Sequence, residues 1–227
     1  AVGQVRLTTG ANEEHLAQRF PDCKKVHTIY HGLDTKYFAP AHDESGCCAP
    51  VVAKTDASPE AEPLILAVGR FVEKKGFAYL IDACAQLRER GFAFRCVILG
   101  ENGDQLEAIR TQIAKHDLLQ QVELRGPVTH KELRQLYAQA AMFVLPCLVA
   151  ADGDRDGIPN VLAEAMAMGL PVVTTDVSGI PELVDAGKNG LVVPERDAAA
   201  LAEALQRILA DAPLRERLGA AARAKVC

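Results

Sequence analysis

The sequence has no tryptophan, few other aromatic residues and no long apolar run. Aromatic residues make up 5% of its 227 residues, and charged residues make up 24%. No apolar stretch approaches the roughly 18 residues that a membrane-spanning helix needs. Apolar residues nevertheless account for 49% of the chain, which is typical of a globular domain and excludes a disordered or collagen-like protein.

An excess of positive charge is also lacking. The chain has 30 acidic and 25 basic residues, so its formal net charge is -5. Proteins that coat nucleic acid carry a strongly basic surface. We therefore expect no nucleic-acid partner.

The cysteines do not form a recognisable framework. There are seven, an odd number, and none belongs to a C-x-x-C motif, which speaks against a disulfide scaffold or a zinc ribbon. Cys84, Cys96 and Cys147 lie in apolar runs and are predicted to be buried thiols. No histidine stands at metal-ligand spacing with a second ligand, so no metal site is predicted. This use of cysteine favours a reducing, cytoplasmic setting.

Short apolar runs alternate with helical patterns from residue 63 onward. The runs predict strands at 64–68, 94–99, 121–124, 142–146, 172–175 and 191–193, and the helical patterns lie at 77–90, 106–116, 131–139, 159–168, 198–209 and 213–225. Such alternation predicts an α/β fold, a Rossmann-like parallel sheet with helices on both faces. Ligands of these sheets bind at the carboxyl ends of the strands, so the loops there are the candidate sites.

The segment before residue 63 is less regular. A helix at 13–19, a short strand at 26–30 and a turn at 31–34 are predicted, followed by a linker or insertion at 41–62 that is rich in Ala, Pro and acidic residues. The chain begins with Ala1 and ends within a helical pattern. We therefore expect a piece of a longer protein.

The loop after the first predicted strand carries two cations beside a helix start, Arg70 and Lys75. Two cations and a helix N-terminus can bind an anion, and a diphosphate is a suitable ligand. The alternative is a solvated surface loop. The next loop has glycines at 100 and 103, which could cradle a nucleotide or simply form a tight turn, since the full G-x-G-x-x-G fingerprint is missing.

The loop before the helix at 159–168 is the most informative. Pro159 suits the first helical position, and the N–H groups of Asn160 and Val161 would then point toward an anion. Asp156 lies just outside this helix and Glu164 about 7 Å along its axis, so a ligand with its phosphates over the helix start could meet a carboxylate on either side. The alternatives are that Asp156 caps the helix and that Glu164 is a surface acid. A calcium loop is disfavoured because its twelfth position is Ala163.

Together these residues resemble the donor-binding half of a family 4 (group 1) glycosyltransferase of GT-B architecture. The matching motifs, spread over roughly residues 64–223, are Val68-Gly69-Arg70 with Lys75-Gly76, Gly126-Pro127-Val128, Asp156-Gly157-Ile158-Pro159 with Glu164, and Ser178-Gly179-Ile180-Pro181-Glu182. Residues 30–40 are similar to the inter-domain hinge of that family. The chain is most similar to enzymes of bacterial exopolysaccharide assembly of the colanic-acid type.

The resemblance implies a role for each matching residue. Arg70 and Lys75 would hold the diphosphate and stabilise the leaving nucleotide, and Asp156, where the family usually has Glu, would bind hydroxyls of the donor sugar. Glu164 would bind the ribose. The remaining residues assigned to donor binding are Gly69, Gly100, Gly157, Ile158, Asn160 and Val161, with Pro127 and Val128 near the base.

The resemblance also implies the partners. The donor would be a nucleotide-sugar, a UDP-sugar above others. Its sugar would be transferred with retention of configuration to a glycan or lipid-linked acceptor, with neither a metal nor a tightly bound cofactor.

The resemblance also implies the domain boundaries. Residues 1–40 would form the end of the acceptor domain and its hinge, residues 41–62 the linker, and residues 63–227 the donor domain. Without the acceptor domain this chain should bind nucleotide weakly and turn over little. The full-length protein would be cytoplasmic, with association at the inner membrane face left open. The alternatives are a non-catalytic binding module or another GT-B enzyme, an epimerase or a phosphorylase.

Overall fold

A six-stranded parallel sheet is the centre of the structure, a computed structural model that describes residues 5–7, 26–28, 32–40 and 62–227. Its strands are β3 (Leu64–Val68), β4 (Arg95–Leu99), β5 (Val122–Arg125), β6 (Met142–Leu145), β7 (Val172–Thr175) and β8 (Leu191–Val193). They lie in the order β5-β4-β3-β6-β7-β8. A separate two-stranded parallel sheet pairs β1 (Val5–Leu7) with β2 (Val26–Thr28).

The helices that alternate with these strands begin with a 3₁₀ turn at Glu73–Lys75. They are α1 (Phe77–Glu89), α2 (Leu106–Lys115), α3 (His130–Gln139), α4 (Asn160–Ala167), α5 (Ile180–Leu183), α6 (Ala198–Ala210) and α7 (Ala212–Val226). The predicted α/β class and parallel sheet are confirmed. Two short elements, β1 and α5, were not predicted from the sequence pattern.

The two faces of the sheet are covered by different helices. The chain runs from β3 to β4 and β5 in one direction and from β6 to β7 and β8 in the other. Because parallel crossovers are right-handed, α1 and α2 lie on one face and α4 lies on the opposite face. Helix α1 packs against α2 and α6, and α4 packs against α7.

The sheet core explains why the strand runs are continuously apolar. Ile65, Leu66 and Ala67 of β3 have no exposed surface, and every residue of β6 and β7 is buried. Full burial of a side chain of the size of Leu or Ile contributes about 1.5–3 kcal/mol. The predicted buried thiols Cys84, Cys96 and Cys147 are confirmed in this core.

The strand order reverses between β3 and β6, where the chain leaves the first half of the sheet for the second. Ile65 pairs with Met142 across this junction. In such sheets the crevice beyond the carboxyl ends of the two central strands is where ligands bind. The loops after β3 and β6 are therefore neighbours at this crevice.

Residues 32–40 form a turn that is attached to this domain. Asp34 accepts hydrogen bonds from the main-chain N–H groups of Lys36 and Tyr37, and Phe38 is 5% exposed within the hydrophobic core. The predicted strand at 26–30 is found at residues 26–28. The predicted helix at 13–19 and linker at 41–62, apart from residue 62, lie outside the described residues.

Candidate functional site

A cavity of about 330 Å³ lies at the junction where the strand order reverses. Its walls come from the end of β3, the 3₁₀ turn and the segment that leads into α4: Val68, Gly69, Lys75, Asp156, Gly157, Ile158, Pro159, Asn160 and Val161. Seven of the predicted site residues are thus brought together: Gly69, Lys75, Asp156, Gly157, Ile158, Asn160 and Val161.

Close contact between the loops after β3 and β6 shapes this cavity. Gly76 has a φ of 66°, and a Cβ there would lie 1.8 Å from the carbonyl oxygen of Pro146. The N–H of Leu148 donates to the carbonyl oxygen of Lys74 at 3.0 Å. Glycine at 76 is needed both for its left-handed backbone and for the space. The two loops are held together, and the 3₁₀ turn is positioned beside the cavity.

The Lys75 side chain runs along the cavity wall, past Gly69, to Asp156. A Cβ on Gly69 would lie 3.1 Å from two side-chain carbons of Lys75, so the absence of a side chain at 69 leaves the path for the lysine. Its Nζ lies 2.7 Å from Oδ2 of Asp156, and the two side chains are only 13% and 18% exposed. A paired ammonium and carboxylate therefore line the cavity side by side.

A second lysine, Lys74, contacts the same carboxylate. Nζ of Lys74 lies 3.4 Å from Oδ1 of Asp156 and 3.0 Å from Oδ2 of the more exposed Asp154. Burial lowers the pKa of Lys74, but its bonds to these carboxylates outweigh burial and raise the pKa above the ordinary value. The Lys74 ammonium therefore stays charged behind the cavity wall, where it pairs with Asp156 although Lys74 itself does not line the cavity.

The first two residues of helix α4, Asn160 and Val161, line the cavity. The prediction that Pro159 takes the first helical position is wrong, because the helix begins at Asn160 and Pro159 is its N-cap residue, with a ψ of 124°. Proline lacks an N–H and tolerates this extended backbone, so it fits just before the helix. The first N–H groups, of Asn160 and Val161, have no acceptor within the helix and lie where an anion would enter.

Asp156 does not cap this helix, since Pro159 is the N-cap residue and the Asp156 carboxylate contacts Lys74, Lys75 and Cys147 instead. Its Oδ2 contacts Lys75 and lies 3.7 Å from Sγ of Cys147. Burial raises the pKa of Cys147 to about 12. The thiol therefore stays protonated beside the carboxylate and is a weak nucleophile, because the thiolate is the reactive form.

Glu164 is half-buried one turn into α4 and has a partner that the sequence did not reveal. The hydroxyl of Tyr137 on α3 lies 3.1 Å from Oε2 of Glu164 and 3.2 Å from the carbonyl oxygen of Val161. Burial raises the pKa of Glu164, and the bond from Tyr137 and the charge of His130 partly offset this. Glu164 is thus a half-buried, hydrogen-bonded carboxylate, which disagrees with the alternative that it is a surface acid.

The other predicted site residues do not line the cavity. Arg70 is exposed on the loop after β3, and Pro127 and Val128 follow β5 at the same edge of the sheet. A Cβ on Gly100 would lie 1.8 Å from the carbonyl oxygen of Gly69, so this glycine allows two adjacent loops to touch. That contact gives Gly100 a packing role, and its predicted role in donor binding stays a prediction.

Two residues that contact the predicted carboxylates were missed by sequence reasoning, Lys74 beside Asp156 and Tyr137 beside Glu164. Lys74 is adjacent to Lys75, and sequence alone does not show which of the two faces the carboxylates. Tyr137 occupies an apolar position of a helical pattern and is typical of a core aromatic residue. Within residues 32–40 and 62–227, no group of three metal-ligating side chains is found, and no helix is long and apolar enough to cross a membrane.

Comparison with known proteins identifies relatives of the chain. The family model described as glycosyl transferases group 1 matches residues 52–225. The chain is 49% identical over 146 residues to a protein of Escherichia coli K12 named as a colanic acid biosynthesis glycosyltransferase, which covers 64% of the chain and 36% of that protein. It is 46% identical over 148 residues to an amylovoran biosynthesis glycosyltransferase of Erwinia amylovora, covering 65% and 36%. The chain thus spans about a third of the length of these curated relatives.

Solved structures share the fold over nearly the whole chain. A sucrose-phosphate synthase from Thermosynechococcus elongatus superposes with a TM-score of 0.81 and 29% identity, covering 100% of the chain and 54% of that protein. Alr3699/HepE of Anabaena, solved in complex with UDP and glucose, superposes with a TM-score of 0.79 and 20% identity, covering 97% and 57%. The fold is therefore one that glycosyltransferases use.

Proposed function

The chain belongs to the group 1 glycosyltransferase family, and from that membership we propose that it is the donor-binding part of an enzyme that transfers a hexose from a nucleotide-sugar. The observation that carries the proposal is the cavity at the strand-order reversal. It combines the Lys75 ammonium, the Asp156 carboxylate and the first N–H groups of α4. A diphosphate needs the cations and N–H groups, and a sugar needs the carboxylate.

The diphosphate would lie between Lys75 and the start of α4. In transfer, the bond between the sugar and the diphosphate breaks, the acceptor hydroxyl oxygen bonds to the sugar, and the proton of that hydroxyl passes to the leaving diphosphate. Negative charge then develops on the leaving nucleotide, and fixed positive groups stabilise it more in the transition state than in the ground state. Arg70, on the exposed loop beside the cavity, is assigned to the same task. Gly69 and Gly157 would allow the ligand to approach the main chain.

The rest of the donor follows the direction of α4. Glu164 lies four residues after Asn160 and three after Val161, hence on the same helix face, and its carboxylate would accept hydrogen bonds from ribose hydroxyls. Pro127 and Val128, in the loop that leads into α3, would contact the base, and Ile158 would contact the sugar side. Asp156 is one methylene shorter than glutamate, so we expect it to select among sugars.

The nature of the donor and acceptor is also part of the proposal. The neighbour from Anabaena that was solved with UDP and glucose supports a UDP-sugar, and the relatives named for colanic acid and amylovoran biosynthesis support a polysaccharide acceptor. We infer that transfer retains the anomeric configuration, needs no metal and requires an acceptor-binding domain, with residues 63–227 forming the donor domain. Association with the inner face of a membrane would then depend on the longer protein.

The proposal is tested by isothermal titration of the chain with UDP, GDP and ADP. We expect UDP to bind best, and Arg70→Ala and Glu164→Ala each to weaken it by about tenfold, which corresponds to about 1.4 kcal/mol. Lys188→Ala, on an exposed loop remote from the cavity, is the matched control and should bind like the parent chain. If both site variants keep the parent affinity, the proposed donor site is wrong.

A further inference from the structure

Tyr137 is a fully buried polar partner of the proposed donor site. Its side chain has no exposed surface, yet its hydroxyl reaches Oε2 of Glu164 at 3.1 Å and the carbonyl oxygen of Val161 at 3.2 Å. A phenol has a single O–H and can donate to only one acceptor at a time. The ionised carboxylate is the stronger acceptor, since hydrogen bonds to charged groups are about twice as strong as neutral ones.

Two aromatic rings pack against the Tyr137 ring. The Phe143 ring of β6 lies 5.8 Å away between centroids, and the Phe38 ring lies 6.3 Å away in an edge-to-face arrangement. Phe38 belongs to the segment 32–40, which precedes the domain, and is buried in its core. Edge-to-face pairs contribute about 0.5–1.5 kcal/mol beyond their buried area and fix ring orientation.

We propose that Tyr137 is a positioning residue that orients the Glu164 carboxylate toward the ribose, and that Phe38 holds Tyr137 in place. The inference rests on the proposed function, because it takes Glu164 to be the ribose-binding residue. With Oε2 held by Tyr137, Oε1 is the oxygen presented to the ribose hydroxyls. The chain of contacts Phe38–Tyr137–Glu164 then links the segment 32–40 to nucleotide affinity.

The protonation states fit this role. Burial raises the pKa of Tyr137 well above its ordinary value, with the neighbouring Glu164 charge adding to the effect, so the phenol remains a donor. Among the described residues, Tyr137 and His130 are the titratable groups that lower the pKa of Glu164 against the effect of burial. Loss of the Tyr137 hydroxyl therefore moves the titration of Glu164 to higher pH.

The first experiment compares the parent chain with Tyr137→Phe, which removes the hydroxyl and keeps the ring that contacts Phe38 and Phe143. Isothermal titration with UDP and with 2′-deoxy-UDP is repeated across the acidic pH range. We expect UDP to bind about tenfold more weakly, with much of its preference over 2′-deoxy-UDP lost. The pH below which UDP affinity falls should also rise.

Two controls isolate the hydroxyl. Tyr79→Phe makes the same chemical change on α1, beside Arg196 and outside the cavity, and should leave UDP affinity and its pH midpoint unchanged. His130→Gln removes the other titratable group that acts on Glu164. The upward shift caused by Tyr137→Phe should persist in that background if Glu164 is the titrating group.

The outcomes separate this inference from the proposed function. If Glu164→Gln binds UDP like the parent, the ribose role of Glu164 and the donor site are wrong. If Glu164→Gln weakens UDP but Tyr137→Phe changes neither the affinity, the ribose selectivity nor the pH midpoint, the positioning role alone is wrong.

Phe38→Leu tests the link to the segment 32–40 by a second route. It removes the aromatic contact with Tyr137 while keeping an apolar side chain in the core. We expect about a threefold loss of UDP affinity together with reduced selectivity against 2′-deoxy-UDP. Thermal unfolding is measured in parallel. A lowered melting temperature with parent-like UDP affinity and selectivity would overturn the link through Phe38.

Discussion

Neutralising Asp156 should strengthen the binding of a bare nucleotide, although Asp156 is a predicted site residue. In the structure its carboxylate forms an ion pair with the Lys75 ammonium at 2.7 Å. A diphosphate that binds Lys75 has to compete with that carboxylate. Asp156→Asn removes the competing charge while keeping the shape of the side chain, and it also releases Lys74 from its 3.4 Å contact.

The size of the effect follows from burial. Fully exposed ion pairs contribute about 0–1 kcal/mol, and removing one partner of a fully buried pair costs about 3–5 kcal/mol. Lys75 and Asp156 are 13% and 18% exposed and border an open cavity, so the pair lies between these limits. We take about 1–2 kcal/mol as the energy that the diphosphate must replace, and a gain of 1.4 kcal/mol corresponds to about tenfold in affinity.

Isothermal titration with UDP and with UDP-glucose measures the prediction. Asp156→Asn should bind UDP up to about tenfold more tightly but lose the extra affinity that a donor sugar provides. Lys75→Met should weaken both ligands. Lys74→Met is the matched control, because Lys74 carries the same charge beside the same carboxylate but does not line the cavity. If Asp156→Asn weakens UDP as Lys75→Met does, the two groups do not compete and the reasoning is refuted.

The remaining predictions concern packing and thiol chemistry. Gly100→Ala should lower the free energy of unfolding by more than about 2 kcal/mol, because its Cβ would lie 1.8 Å from the carbonyl oxygen of Gly69. Gly126→Ala is the control and should change the free energy of unfolding little, because a Cβ there meets nothing within 4 Å. Urea denaturation followed by circular dichroism checks both variants, and equal stability would contradict the packing role. Cys147, whose pKa burial raises to about 12, should resist alkylation at pH 8 in the folded chain, while exposed Cys227 reacts readily. Mass spectrometry after iodoacetamide treatment resolves the two sites, and equal labelling would contradict the burial of Cys147.

Long, regular elements could be predicted from sequence because their burial shows in the local pattern. The run 64–68 is continuously apolar and forms β3, whose central residues are fully buried. Short elements carry too little pattern. Strand β1 has three residues with an arginine in the middle, and α5 has four residues with a proline at its start. Their existence depends on pairing and packing partners that lie elsewhere in the chain.

The candidate site divides in the same way. Pro159 followed by an apolar helical pattern indicates a helix start, but the sequence did not distinguish the N-cap position from the first helical position. That choice depends on the ψ of Pro159, which is 124° and therefore not helical. Glycine 100 is a similar case, since a glycine after a strand is equally typical of a phosphate loop and of a close backbone contact. The distance to Gly69 shows the close contact, and the role of Gly100 in donor binding stays a prediction.

By itself, the sequence determined the α/β class, the succession of strands and helices, and the set of loops in which chemistry was to be sought. These follow from periodicity and residue type, which are local along the chain. The tertiary structure decided which charges meet: that Asp156 pairs with Lys75, that Lys74 joins them, and that Tyr137 holds Glu164. Those contacts join residues on different elements, and their geometry exists only after the strand order reverses between β3 and β6 and brings the loops to one edge of the sheet.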